Sequence, residues 1–122
     1  MTIPNTGWKL AEDDRNRLLE QFPPRYQRTV ADHVTQKLAD RPAPVPGPVA
    51  AQVIGWRDDG DSLECLVVAI DGSPDRPDGS TYHITWSLGP DRAAKESNDV
   101  LRERGWTAID QPIPIELKPA RL

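Results

Sequence analysis

The stretch "TYHITWSL" (residues 81–88) reads as a strand with two unlike faces. Side chains alternate across a strand, so Thr81, His83, Thr85 and Ser87 share one face and Tyr82, Ile84, Trp86 and Leu88 the other. The second set is apolar and belongs to a core, which leaves an imidazole flanked by hydroxyls on the opposite face. The pattern has one earlier counterpart, "ADHVTQKL" (31–38), where His33, Thr35 and Lys37 face away from Val30, Val34 and Leu38. Each stretch runs histidine, β-branched apolar residue, threonine, two further residues, leucine, and between them they hold the chain's two histidines.

Working outward, 10–22 reads as a helix with Ala11, Leu18, Leu19 and Phe22 on one stripe. Asp13 and Asp14 suit the dipole at its start, and Pro23-Pro24 ends it. Residues 29–38 then form the strand that carries the first motif. "DRPAPVPGP" (40–48) is too rich in proline for regular structure and reads as an extended surface connection. Strands are expected at 49–56 and 63–70, joined by "RDDGDS", whose Asp-Gly favours a tight turn. The second of these is almost wholly apolar and is placed centrally in its sheet. Residues 71–80 read as a loop. Residues 91–104 read as a helix with Ala94, Val100 and Leu101 inward and Gly105 as its stop. "PIPIEL" (112–117) suits an edge strand, because its prolines would interrupt a central ladder. The order α-β-β-β-β-α-β describes a single α+β domain over 1–122, with helices against a mainly antiparallel sheet.

A chain of 122 residues, 37% hydrophobic and 28% charged, suits a compact globular fold. No apolar run reaches the roughly 18 residues that a membrane span requires. The N-terminus lacks the basic and apolar regions of a secretory signal, and the lone Cys65 suits a reducing compartment, so a cytoplasmic location is expected. Fifteen basic against nineteen acidic side chains leave a net charge of −4. That balance disfavours a long duplex footprint and favours a nucleic-acid end or a small nucleotide gripped by a few arginines.

In-line cleavage of a phosphodiester removes a proton from the nucleophile on one side of phosphorus and delivers one to the leaving oxygen on the other. Two imidazoles, one neutral and one protonated, do both near neutral pH. Threonine hydroxyls beside them can donate to the non-bridging oxygens as charge builds there. No metal or cofactor is required, and two histidines with one cysteine give little basis for a zinc site.

Paired His-apolar-Thr motifs, each on a strand, are the signature of the two-histidine (2H) phosphoesterase superfamily, which this chain resembles at His33-Val34-Thr35 and His83-Ile84-Thr85. More narrowly, "FPPRYQRTVADHVT" and "RPDGSTYHITWSL" are similar to the small 2H domain of bacterial "Swiss Army Knife" RNA-repair proteins. The resemblance covers most of 8–118. It implies a pseudo-symmetric α+β fold with helices outside and a central cleft that receives both motifs. It also implies metal-independent hydrolysis of a 2′,3′-cyclic phosphate on a nucleotide or RNA end. His33 and His83 would then be the acid–base pair, and Thr35 and Thr85 the phosphate ligands. The chain departs from larger members in the 50-residue spacing of its histidines and in Gln36-Lys37, where an apolar residue often follows the threonine. Alternative readings are hydrolysis of a cyclic oligonucleotide signal, a non-catalytic nucleotide- or RNA-end-binding module, or a domain that works beside RNA-repair partner proteins.

Further candidates for substrate contact are Arg25, Arg28 and Arg76, whose guanidinium groups suit phosphate. Lys37 and Ser87 follow the two motifs, and Trp56 stands either in the core or at the cleft wall. Tyr26 could stack on a base. Trp86 and Tyr82 are assigned to the core by alternation, and Cys65 is read as a small buried residue. The carboxylates of "RDDGD" (57–61) suit turn chemistry better than calcium.

Overall fold

The computed structural model describes residues 5–37 and 44–122. The elements run β1 (Thr6–Leu10), α1 (Glu12–Gln21), β2 (Arg28–Thr29), β3 (His33–Lys37), β4 (Ala51–Asp58), β5 (Leu63–Ile70), β6 (His83–Leu88), α2 (Glu96–Arg104), β7 (Thr107–Ile115) and β8 (Leu117–Arg121). The ladders among these strands are antiparallel. A three-stranded sheet has the order β3-β1-β8, and a five-stranded sheet the order β2-β6-β5-β4-β7. The α+β class and the antiparallel pairing agree with the sequence. No helix among the described residues is long and apolar enough to cross a membrane.

β5, apolar except for Glu64, is buried along its whole length and lies between β6 and β4, as expected of a strand covered on both faces. One face joins the main core, where Trp8, Val34 and Leu117 of the small sheet meet Val53, Leu66, Ile84 and Trp86 of the large one. Leu18 of α1 enters the same core. The other face of β5, through Leu63, Cys65 and Val67, packs under Val100 and Leu101 of α2. The β4–β5 hairpin is closed by Asp59, whose carboxylate accepts the backbone N–H groups of Asp61, Ser62 and Leu63. Burial would raise this carboxyl, but those bonds and Arg92 outweigh it and hold the pKa at about 2. Arg92 reaches Asp59 at 2.6 Å, and residues 91–95 lie outside the helix, so α2 begins at Glu96 rather than Asp91. Gly105 ends α2 at φ +67°, its N–H bonded to the Leu101 carbonyl.

Three expectations need correction. The strand over 29–38 is two strands in two sheets: β2 pairs with β6, and β3 pairs with β1. Between them Ala31 adopts φ +44°, and no local sequence signal marks that turn. "PIPIEL" likewise straddles two strands, β7 ending at Ile115 and β8 starting at Leu117. Each is an edge strand, which accommodates Pro112, Pro114 and Pro119. β1 has no counterpart in the sequence reading, because its short "TGWKL" lacks alternation and forms a strand through pairing on both sides. Of the proline-rich connection, 40–43 lie outside the described residues, as does Leu38 at the end of the first motif. Residues 44–50 have no regular structure, and the Gly47 carbonyl accepts the Trp8 indole N–H at 2.9 Å.

Gly7 lets β3 approach β1. A Cβ there would lie 2.1 Å from the Val34 carbonyl oxygen, a backbone atom that cannot rotate away. Gly7→Ala is expected to cost about 2 kcal/mol or more through this overpacking. Gly47, with nothing within 4 Å, serves as the control. Urea denaturation checks both, and equal stability of the two variants would refute the close-approach argument.

Candidate functional site

β3 and β6 each begin at a motif histidine, so the two imidazoles enter the site from different sheets. His33, Thr35, His83 and Thr85 line one cavity of about 140 Å³. Its remaining wall is Arg76 from the 71–82 segment, Ala94 and Lys95 just before α2, Asn98 in the first turn of α2, and Asn5.

The two histidines are held differently. His83 is buried, and its Nδ1 lies 2.8 Å from the Thr81 carbonyl. A carbonyl only accepts, so Nδ1 carries the proton and Nε2 is left with its lone pair. Burial disfavours the imidazolium, Arg76 and His33 add like charge, and together they outweigh the Thr81 bond, bringing the pKa down to about 4. His33 is more open, its side chain 31% exposed, and its Nδ1 is 3.1 Å from Asp32 Oδ2. That carboxylate also accepts Lys9 Nζ at 2.8 Å. Burial raises the Asp32 pKa, but the bonds from Lys9 and His33 win and keep it below the usual range. The two imidazoles thus have different partners, a carboxylate for His33 and a neutral carbonyl in a buried setting for His83.

The threonines also differ. Thr85 is buried, with Oγ1 3.2 Å from the Ala94 carbonyl and 2.9 Å from Ser97 Oγ. Its hydroxyl thus secures the start of α2 and can donate to an anion only by exchanging the Ala94 bond. Thr35 is half-buried and lines the cavity, while its carbonyl accepts Arg76 Nη1 at 3.3 Å.

Among the described side chains, Arg76 is the one further candidate that the fold brings to the histidines. It is only 4% exposed, and it donates through Nε to Ser80 Oγ at 2.6 Å and through Nη2 to Asn98 Oδ1 at 2.7 Å. The other candidates go elsewhere. Arg25 lies over the Trp56 ring at 4.7 Å and pairs with Asp58 at 3.1 Å. Trp56 packs on the main core and donates to Glu64 Oε2, so packing and not the cleft wall is its place. Arg28 donates to the Gly89 carbonyl at 2.7 Å and to that of Arg92, pinning the turn after β6. Ser87 is fully buried and donates to Glu64 Oε1 at 2.6 Å. Strict alternation places Ser87 with His83, but a bulge intervenes. Glu64 pairs with Ser87 and Cys65 with Thr85, so Trp86 is an extra residue and the faces swap beyond it. The same swap carries Leu88 to the α2 side. Lys37 pairs through its backbone with Thr6, and its side chain lies outside the described residues.

Tyr82 and Trp86 are buried in the main core as expected, with the Trp86 indole donating to the Phe22 carbonyl at 2.8 Å. The Tyr26 hydroxyl donates to Asp58. Cys65 is buried, and its thiol is pushed up to about 12, chiefly by burial. Among the described residues no group of three or more His, Cys, Asp and Glu side chains is placed to hold a metal ion. Asp32, Lys95 and Asn98 escaped the sequence reading. Adjacency to His33 is a usable signal for Asp32, but nothing local places α2 over β6. No family model, curated protein or solved structure matches the chain.

A histidine whose folded pKa lies near 4, against 6.5 as its ordinary value, resists protonation in the folded state. The unfolded chain then binds more protons below that ordinary value, so stability falls as pH drops from there toward the folded pKa. At about pH 4.5 the wild type is expected to have lost roughly 2 kcal/mol more, relative to neutral pH, than His83→Gln. Urea unfolding of both proteins at the two pH values measures this. Identical pH dependence would refute the buried, neutral imidazole.

Proposed function

We propose that the protein is a metal-independent phosphodiesterase that opens a 2′,3′-cyclic phosphate on a nucleotide or RNA end, using the two histidines as its acid–base pair. One observation carries the reading: both motif histidines and both motif threonines line a single cavity, which also contains a buried arginine. The cavity has the volume of four or five water molecules at about 30 Å³ each, which suits a phosphoryl group. In this reading β3 and β6 are the two halves of a pseudo-symmetric 2H-type cleft. Their placement in separate sheets, each with its histidine at the head of the strand, supports it.

The carbonyl at His83 Nδ1 and the carboxylate at His33 Nδ1 suggest a direction. His83 Nε2, unprotonated, takes a proton from water as the water oxygen bonds to phosphorus. His33, supported by Asp32, donates its Nε2 proton to the ribose oxygen as the P–O bond of the ring breaks. Water supplies the new P–O bond and the proton that His83 gains, and the freed hydroxyl carries the proton that His33 loses. Exchange with solvent restores both. A base with so low a pKa in the empty site is weak, but an anionic phosphate beside it favours the imidazolium and raises its basicity in the complex. Arg76, Lys95 and Thr35 are the groups placed to offset charge on the non-bridging oxygens.

Turnover of 2′,3′-cyclic nucleotides in EDTA is the test. His33→Ala and His83→Ala are each expected to lower kcat by about 10²–10⁴. The wild-type pH profile is expected to be bell-shaped, because one imidazole acts as base and the other as acid, and Asp32→Asn is expected to lower kcat because His33 loses the carboxylate at its Nδ1. Turnover that requires metal, or that survives both histidine substitutions, would sink the mechanism.

A further inference from the structure

The histidine cavity is too small for a nucleoside, so the group attached to the phosphate must lie outside it. A second cavity of about 390 Å³ adjoins it and shares Arg76 and Asn98 with it. This volume falls within the range of small-molecule sites. Among the described residues no aromatic ring lines either cavity, which removes base stacking as the main source of grip.

The larger cavity is lined by residues with charged or polar side chains, among them Arg76, Arg102, Asp78, Ser80, Thr81 and Asn98. The Asp78 carboxylate is already committed: it accepts the Ser80 backbone N–H at 2.9 Å and lies 3.4 Å from Arg76 Nε. The hydrogen bond from the Ser80 side chain, aided by the one from its backbone and by Arg76, outweighs burial and holds the Asp78 pKa below the ordinary range. It is therefore an occupied acceptor.

Arg76 spends three of its five N–H groups on Ser80, Thr35 and Asn98, which leaves two without a partner among the described residues. Arg102 is 69% exposed and pairs with Asp99, one turn away on α2. Such a pair is worth little in water and is readily exchanged for a better anion.

We propose that the larger cavity is a subsite for a second phosphate, the one on the 5′ side of the nucleotide whose cyclic phosphate occupies the histidine cavity. Arg76 spans the two positions and Arg102 is the outer ligand. The inference rests on the phosphodiesterase reading and narrows its substrate class to 5′-phosphorylated 2′,3′-cyclic nucleotides and RNA ends that carry a cyclic phosphate. The base contributes little to recognition.

Two measurements separate this proposal from the reading beneath it. The first is calorimetric binding of adenosine 3′-phosphate and adenosine 3′,5′-bisphosphate, which requires no catalysis. The bisphosphate is expected to bind about five- to tenfold more tightly to the wild type, and Arg102→Gln to erase that ratio. Equal affinities in the wild type, or a ratio that persists in Arg102→Gln, would overturn the subsite. The second is kcat/KM for adenosine 2′,3′-cyclic phosphate, its 5′-phosphorylated form and a dinucleotide ending in a cyclic phosphate. A preference for either 5′-extended substrate supports the subsite, and the better of the two identifies a small nucleotide or an RNA end as its source. No preference overturns it. If nothing is turned over while the binding ratio holds, the phosphodiesterase reading fails and the two-phosphate site stands.

Discussion

The backbone of residues 30–32 is hydrogen-bonded to both sheets within three residues, and the site depends on that crossing. The N–H groups of Val30 and Ala31 donate to the carbonyls of Trp86 and Thr85 on β6, and the Asp32 carbonyl accepts the Leu10 N–H of β1. Ala31, buried and at φ +44°, makes the turn between them, and its carbonyl accepts Arg15 Nε of α1 at 2.8 Å. A non-glycine residue in this region is strained, and it persists where surrounding bonds over-determine it. Here three elements do so. The consequence is that His33 starts a strand of one sheet beside the place where His83 starts a strand of the other.

Arg76 extends the same arrangement to the loop and to α2. A buried guanidinium is costly unless its N–H groups are satisfied, and this one ties the Thr35 carbonyl, Ser80 and Asn98 to a single point. The cluster therefore fixes the wall of the cavity and leaves positive charge facing it. That charge acts with burial to keep His83 neutral, while His33 on the other side has the Asp32 carboxylate at its Nδ1. Two identical side chains in matching motifs thus acquire unlike surroundings from their partners.

Several residues that look like substrate ligands in the sequence instead satisfy a second buried charge. Glu64 is almost wholly inaccessible, and its carboxylate accepts the Arg25 backbone N–H, the Ser87 hydroxyl and the Trp56 indole. Three donors offset much of the cost of burying that carboxylate. Nothing in "LECLVVAI" distinguishes Glu64 as the centre of such a network, so Arg25, Trp56 and Ser87 look free for other work. The Trp86 bulge hides Ser87 in the same way: alternation is a local rule, and one inserted residue reverses it.

Local pattern was sufficient for the apolar β5, the proline stop after α1, the glycine stop after α2, and the two motifs with His and Thr on a common face. These follow from side-chain alternation, from helical periodicity and from backbone restrictions that act within a few residues. The sequence alone therefore determined the α+β class and the four motif residues. Only the tertiary structure decided that the first motif belongs to a different sheet from the second, that Arg76 and not Arg25 or Arg28 reaches the histidines, and that His83 is buried beside Arg76. Those outcomes depend on hydrogen bonds and burial between segments tens of residues apart, to which a periodicity read along the chain is blind.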